Sequence, residues 1–187
     1  PTTGEPASAW IARASVEEMR SVIATLGEER FARRVAEAID ASRRGTPITR
    51  TVQLAAIVEG AVRTREPGKH PATRSFQALR LHVNDELGQL KAGLEGAFEV
   101  LAIGGRLAAI SFHSLEDRIV KQFLRRKSSV DPVYAGLPHV PAHAQAAMRL
   151  VGRKVRPSDA EVAANPRARS AVLRVAEKTA EQGGAPP

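Results

Sequence analysis

Three runs of the chain join loop-forming residues to side chains that carry chemistry. KHPATRSFQALRLHVNDEL runs from Lys69 to Leu87, SFHSLEDR from Ser111 to Arg118, and NPRARSAVLRV from Asn165 to Val175. Arg74, Arg80, Arg167 and Arg169 carry planar, paired donors of the kind that grip phosphate oxygens. Phe76 offers a ring on which a base could stack, with Gln77 next to it. The simpler readings are Phe76 as core, Arg174 as solvated strand surface, and Asn165 as a cap ahead of Pro166 at a first helical position. In the second run Ser111, His113 and Ser114 set two hydroxyls and an imidazole within a few residues, the types that handle or orient protons. Ser114 and Asp117 also form a capping-box pattern, so this cluster could serve only to start a helix.

Several chemistries are absent from the pattern. There is no Gly-rich phosphate loop of the P-loop or GxGxxG type, no HExxH and no EF-hand. Without a GxSxG elbow, the serines near His113 make no case for a hydrolase. Five histidines (His70, His82, His113, His139 and His143) lack metal-ligand spacing, and prolines at 138 and 141 keep His139 and His143 off one helix. With no cysteine, thiolate catalysis, disulfides and Cys-based zinc sites are excluded.

The elements that must position these residues change character along the chain. To about His82 the pattern is helical. SVEE, Ser15 to Glu18, is a capping box, and Val16, Met19, Val22, Ile23 and Leu26 follow at helical spacing up to Gly27. A second helix holds Phe31, Val35, Ala38 and Ile39. A third, capped by Thr49, holds Leu54, Ile57, Val58 and Ala61. REPGKHPATR reads as a loop. Val83, Leu87, Leu90, Leu94, Phe98 and Leu101 mark one long amphipathic helix. Arg106 to Phe112 is a short apolar strand, and a helix starts directly after it. Residues 128–147 form a loop. Arg149 to Arg156 and Ala171 to Ala176 read as strands, with a short helical turn opened by Ser158 and Glu161 between them. In open α/β sheets ligands lie beyond the carboxyl ends of strands, so polar residues right after a strand are placed for a site.

The charge is lopsided. The 187 residues carry a formal net charge of +8. Ile119 to Ser158 holds eight basic residues (Lys121, Arg125, Arg126, Lys127, Arg149, Arg153, Lys154 and Arg156) against one acid, Asp131, a net +7. A polyanion, RNA or DNA, is the natural partner, and a merely solvated basic face is the alternative. No apolar stretch approaches membrane-spanning length and no secretory pattern opens the chain, which fits a cytoplasmic protein.

KHPATRSFQALRLHVNDEL, GGRLAAISFHSLEDRIVKQFLR and NPRARSAVLRVAEK, with GEERFARRVAEAI and PITRTVQLA, resemble the bacterial 16S rRNA cytosine-N4 methyltransferase family, RsmH or MraW. The resemblance runs from about Trp10 to Lys178. It implies an α/β fold: the C-terminal part of a Rossmann-like class I methyltransferase sheet plus an inserted all-α helical domain. Residues 1–75 would be the inserted, substrate-recognising domain, 76–178 the second half of the methyltransferase domain with its last three strands, and 179–187 a disordered tail. The cofactor would be S-adenosyl-L-methionine and the substrate the N4 amine of cytosine 1402 in 16S rRNA of the small ribosomal subunit.

The family's opening strand, its Gly-rich His-containing loop and its cofactor-binding acidic residues have no counterpart here. The expectation is therefore a chain that alone neither binds the cofactor well nor turns over. Ser111, His113 and Ser114 are then the expected catalytic-side residues, and Arg74, Phe76, Gln77, Asn165, Arg167 and Arg169 the RNA-binding ones. Two other classes stay open: a non-catalytic RNA-binding module, and a fragment that self-associates as a homodimer through an open sheet edge.

Overall fold

The computed structural model describes residues 4–64, 68, 70–141 and 144–180. They divide after Glu86 into two compact units, later than the boundary at 75 expected from the sequence.

In the first unit every described element is a helix: α1 (Ala7–Arg13), α2 (Val16–Gly27), α3 (Ala32–Gly45), α4 (Thr51–Ala61) and α5 (Thr73–Val83). α2 begins as its sequence dictates. The Ser15 side chain accepts from the Glu18 N–H, and the Glu18 carboxylate reaches back 2.7 Å to the Ser15 N–H. Trp10, Met19, Ile23, Val35, Ile39, Leu54, Val58 and Leu79 form the core. Burying each such side chain contributes roughly 1.5–3 kcal/mol.

α2 ends at Gly27 as expected, and the left-handed Glu28 follows as its cap. Gly27 is needed for another reason. A Cβ there would lie 2.5 Å from the Arg74 carbonyl oxygen and 3.2 Å from the Ala78 Cβ, so only glycine lets α5 pass this close. Thr49 does not cap α4; instead the Gln53 side chain accepts from the Thr49 and Arg50 N–H groups at 3.1 and 2.9 Å.

The long helix expected from Val83 is present as α6 (Glu86–Val100), but it starts three residues later and Val83 belongs to the helix before it. α5 ends at Val83 and α6 starts afresh. Asp85 between them is left-handed, with φ 46°, and the Asn84 side chain donates to the Glu86 carboxylate. The apolar period runs straight through this break, so periodicity alone conceals it.

The second unit holds α6, β1 (Arg106–Ser111), α7 (Ser114–Lys127), β2 (Met148–Leu150), α8 (Asp159–Ala164) and β3 (Val172–Lys178). The sheet order is β1-β3-β2, and β3 is antiparallel to both neighbours. β1 and β2 therefore run parallel, joined by a crossover through α7. β2 is shorter than the sequence suggests, although Val155 still bridges to Leu173.

One sheet face packs with α6 and α7 on a core of Leu94, Phe98, Val120, Phe123, Leu124, Met148 and Ala176. Phe98 lies between two buried lysines. The Lys127 and Lys178 ammonium groups sit 4.1 and 4.8 Å from its ring centroid. Lys178 also donates to the Phe98 carbonyl at 3.2 Å, in the last turn of α6, where a cation suits the helix dipole. On the other face Glu177 of β3 accepts from Arg106 of β1 and Arg149 of β2, tying all three strands. The expected tail begins with Thr179 and Ala180, whose N–H groups donate to the Ala147 carbonyl. Its remainder, 181–187, lies outside the described residues.

Candidate functional site

The strand register decides which polar clusters meet. Ser111 closes β1 and pairs with Val172, the first residue of β3. The 3-10 turn Pro166–Ser170 leads directly into β3. The Ser111–Ser114 cluster and the Asn165–Arg169 cluster therefore lie at one end of the sheet. That end is also the carboxyl end of the parallel pair β1 and β2, where α/β sheets place their ligands.

Within this end the side chains have distinct tasks. Ser111 is 2% exposed, and its Oγ has no hydrogen-bond partner among the described residues. A buried hydroxyl left unpaired costs about 1–3 kcal/mol, which is unusual outside functional sites. His113, not Ser114, is the N-cap of α7. Its Nδ1 accepts from the Glu116 N–H at 3.3 Å, while the Glu116 carboxylate accepts from the Phe112 and His113 N–H groups.

The capping box expected at Ser114 and Asp117 is thus one residue earlier. The reason lies on β3, where the Arg174 guanidinium donates to both Asp117 oxygens, at 2.7 and 3.0 Å. These hydrogen bonds hold the Asp117 carboxyl below its ordinary range and raise Arg174 in turn. Arg174 is therefore no solvated surface residue. Ser114 is exposed on the first turn of α7.

The cap fixes the imidazole chemistry. A nitrogen that accepts a hydrogen bond carries no proton, so neutral His113 bears its proton on Nε2. Nε2 is buried and unsatisfied, although a Glu116 oxygen lies 3.3 Å away. Nε2 is the nitrogen from which His113 can donate in this position.

In the third cluster the Asn165 side chain accepts from the Arg167 N–H at 3.2 Å and shapes the turn. Arg167 and Arg169 are exposed. Lys121, Arg125, Arg153, Lys154 and Arg156 are exposed as well, whereas the other three basic residues of the 119–158 segment are engaged. Arg126 and Lys127 pair with Glu95, and Arg149 with Glu177.

The first cluster belongs to the helical unit and has structural work there. The Arg74 guanidinium donates to the Glu28 carbonyl at 2.6 Å, and the Gln77 carboxamide to the Leu26 carbonyl at 3.5 Å. Both side chains thereby close the end of α2. Phe76 is half-buried against the core and lines a cavity. A second buried, unpaired hydroxyl, Ser75 Oγ, was not singled out in the sequence, where nothing distinguishes it from an ordinary helical serine.

The described residues do not fit S-adenosylmethionine at the sheet end. The turn from β1 to α7 has no glycine to admit a ligand against the backbone. Its two nearest carboxylates, Glu116 and Asp117, are already occupied. No described helix is long and apolar enough to cross a membrane.

Comparison with known proteins identifies the family of the chain. The profile of the MraW methylase family matches residues 1–179. Ribosomal RNA small subunit methyltransferase H of Thiobacillus denitrificans is 58% identical over 184 residues, 98% of this chain and 59% of that protein. The protein of the same name from Halorhodospira halophila is 58% identical over 179 residues, covering 95% of this chain and 55% of its own. The chain belongs to the MraW methylase family. It spans 55–59% of the length of these two relatives.

Proposed function

We propose that this chain is the substrate-side portion of an S-adenosylmethionine-dependent enzyme that methylates N4 of cytosine 1402 in the 16S rRNA of the small ribosomal subunit. Family membership and the names of the relatives support rRNA methylation. The observation that carries the substrate-side reading is the sheet end. It gathers Ser111, His113, Arg167 and Arg169 at the carboxyl ends of two parallel strands, without a cradle for the cofactor. A reversed strand between two parallel ones, with the outer edge of β1 unpaired within the described sheet, supports a Rossmann-like sheet of which this is one side. The helical unit is then the inserted domain.

The exocyclic amine of cytosine is a poor nucleophile, because its lone pair is delocalised into the ring. An enzyme must hold it in line with the methyl donor and offer an acceptor for its N–H. The capped imidazole of His113 offers only its Nε2–H, and Asp117 is committed to Arg174. Of these residues Ser111 Oγ, which has no partner among the described residues, can accept such an N–H, and any stronger acceptor comes from outside them. Ser111 and His113 wall and orient the base, Ser114 lies at the rim, and Asn165 shapes the turn that presents Arg167 and Arg169 to phosphates. Phe76 is the RNA-facing residue of the helical unit, and Arg74 and Gln77, bound to the α2 carbonyls, serve RNA binding by holding α5 in place.

A calorimetric titration of S-adenosylhomocysteine into the chain tests this reading. No heat of binding is expected, together with salt-dependent binding of an RNA that contains the cytosine 1402 region. One-to-one cofactor binding overturns the substrate-side assignment. A non-catalytic RNA-binding module is the second reading, favoured by the same misfit to the cofactor. The open edge of β1, beside the exposed Ile110 and Phe112, supports self-association as a homodimer, which sedimentation would read directly.

A further inference from the structure

The helical unit contains a cavity of about 370 Å³, within the range of roughly 300–1,000 Å³ typical of small-ligand sites. Its walls are mostly apolar, built from Ile11, Ile48, Leu54 and Phe76, while Arg50 and Arg80 stand at its edge. Both arginines are exposed. Arg80 makes an ion pair with Glu86 at 3.0 Å but stays more than half exposed. Thr49 and Thr51 also line the cavity, residues whose hydroxyls can donate to or accept from a heteroaromatic edge.

An apolar slot with one aromatic wall and a cationic rim fits a specific chemistry: a flat, uncharged ring attached to a phosphodiester. We propose that this cavity takes one unstacked nucleobase of single-stranded RNA. The base packs against Phe76, and its flanking phosphates meet Arg50 and Arg80. The bound nucleotide is a non-reacting one, which anchors the strand through the helical unit. This rests on the RNA-binding reading above and adds a defined subsite to it.

The charge argument decides between ligands. An apolar molecule alone gains nothing from the two guanidinium groups, and a free phosphate gains nothing from the ring and the aliphatic walls. A nucleotide within a strand uses both. Base–aromatic stacking tolerates any base, so the subsite recognises the presence of a base rather than its identity.

The test uses the 187-residue chain and two labelled 12-nucleotide probes at one fixed salt concentration. One is a single-stranded RNA, the other its abasic ribose-phosphate counterpart, and fluorescence anisotropy reads both. The wild type should bind the base-bearing strand about tenfold more tightly, the gain expected of one good stack. Phe76→Leu keeps apolar volume but removes the ring, and should erase most of that preference while leaving the abasic affinity unchanged. Should this variant lose its wild-type melting temperature, Thr51→Trp blocks the cavity from its exposed edge and should have the same effect. Arg50→Gln should weaken both probes alike.

Equal binding of the two strands by the wild type overturns the subsite and leaves RNA binding standing. So does an undiminished preference in a folded Phe76→Leu or Thr51→Trp variant. Binding of neither strand overturns the RNA reading itself, and the subsite with it.

Discussion

Replacing Ser111 by alanine should stabilise the sheet unit. The hydroxyl is buried at the end of β1 with 2% exposure and has no partner among the described residues, so its desolvation is uncompensated. That state costs about 1–3 kcal/mol. Removing one oxygen leaves a void of roughly 15 Å³, which costs only about 0.4 kcal/mol at about 24 cal/mol per Å³. The methylene and the backbone are unchanged, and the Val172 pairing across the strands needs no side-chain hydroxyl. The net expectation is a gain of about 0.5–2.5 kcal/mol. Native-state hydrogen exchange at the amides of β1 and β3 measures it within this unit alone, where a global melt would mix two units. Protection should rise in Ser111→Ala by roughly two- to seventyfold, the same gain expressed as an equilibrium ratio. A fall in protection would refute the reasoning, because the hydroxyl would then have a stabilising partner and no claim to be a ligand-facing group held at a cost to the fold.

Three further perturbations read other parts of the structure. Gly27→Ala should destabilise the helical unit by about 1–3 kcal/mol, because the added methyl meets the α5 backbone rather than a movable side chain, and a urea melt followed by Trp10 fluorescence would register it. Asp117→Asn should cost the sheet unit about 1–2 kcal/mol at neutral pH. The Asp117 pKa is lowered on folding, so its contribution is present above the unfolded value of about 3.9 and fades as pH falls through the folded one. The gap in exchange protection between wild type and variant should therefore be full above about pH 4, begin to shrink below it and close only once pH is under the lowered folded value; a gap that does not shrink at all on acidification would exclude the ion pair as its source. Arg167→Ala and Arg169→Ala should each lower the slope of log affinity for RNA against log salt by about 1; an unchanged slope would remove these arginines from the phosphate contacts.

What the sequence made legible is what lies within a few residues. The capping box at Ser15, the N-cap at Ser158 (without the reciprocal Glu161 bond of a box), the strand after Gly105 and the helix directly behind it are local events, and the structure contains each of them. α1 went unread, although Trp10, Ile11 and Ala14 already carry its buried face. The rest depends on partners remote in the chain. Asp117 looked like a cap residue because its true partner, Arg174, is 57 positions away. Arg74 and Gln77 looked free for a ligand because the α2 carbonyls they close are 46 and 51 positions back. Gly27 does end α2, as its sequence suggests, but nothing local reveals α5 crossing over it. Nothing local marks Lys178 as buried, yet it is 1% exposed against Phe98, a contact spanning 80 positions. The polar residues after β1 were placed correctly at a strand end by a rule of sheets, but which of them carries the helix cap was decided by Arg174.

The order of the strands has a consequence for how the protein is made. β3 is the last of the three to be synthesised, yet it occupies the middle of the sheet, and Arg106 meets Glu177 across 71 positions. While translation proceeds, β1 and β2 have no hydrogen-bonding partner in this sheet, whereas the helices up to Val83 have already emerged with all their mutual contacts available. The helical unit can thus fold on the ribosome well before the sheet can close. Until β3 arrives, the apolar run from Leu107 to Ile110 is an unpaired strand that a neighbouring nascent chain or a chaperone can capture. Slowing elongation between the codons for α7 and β3 should lengthen that exposed interval and lower the soluble yield, although the finished polypeptide is identical.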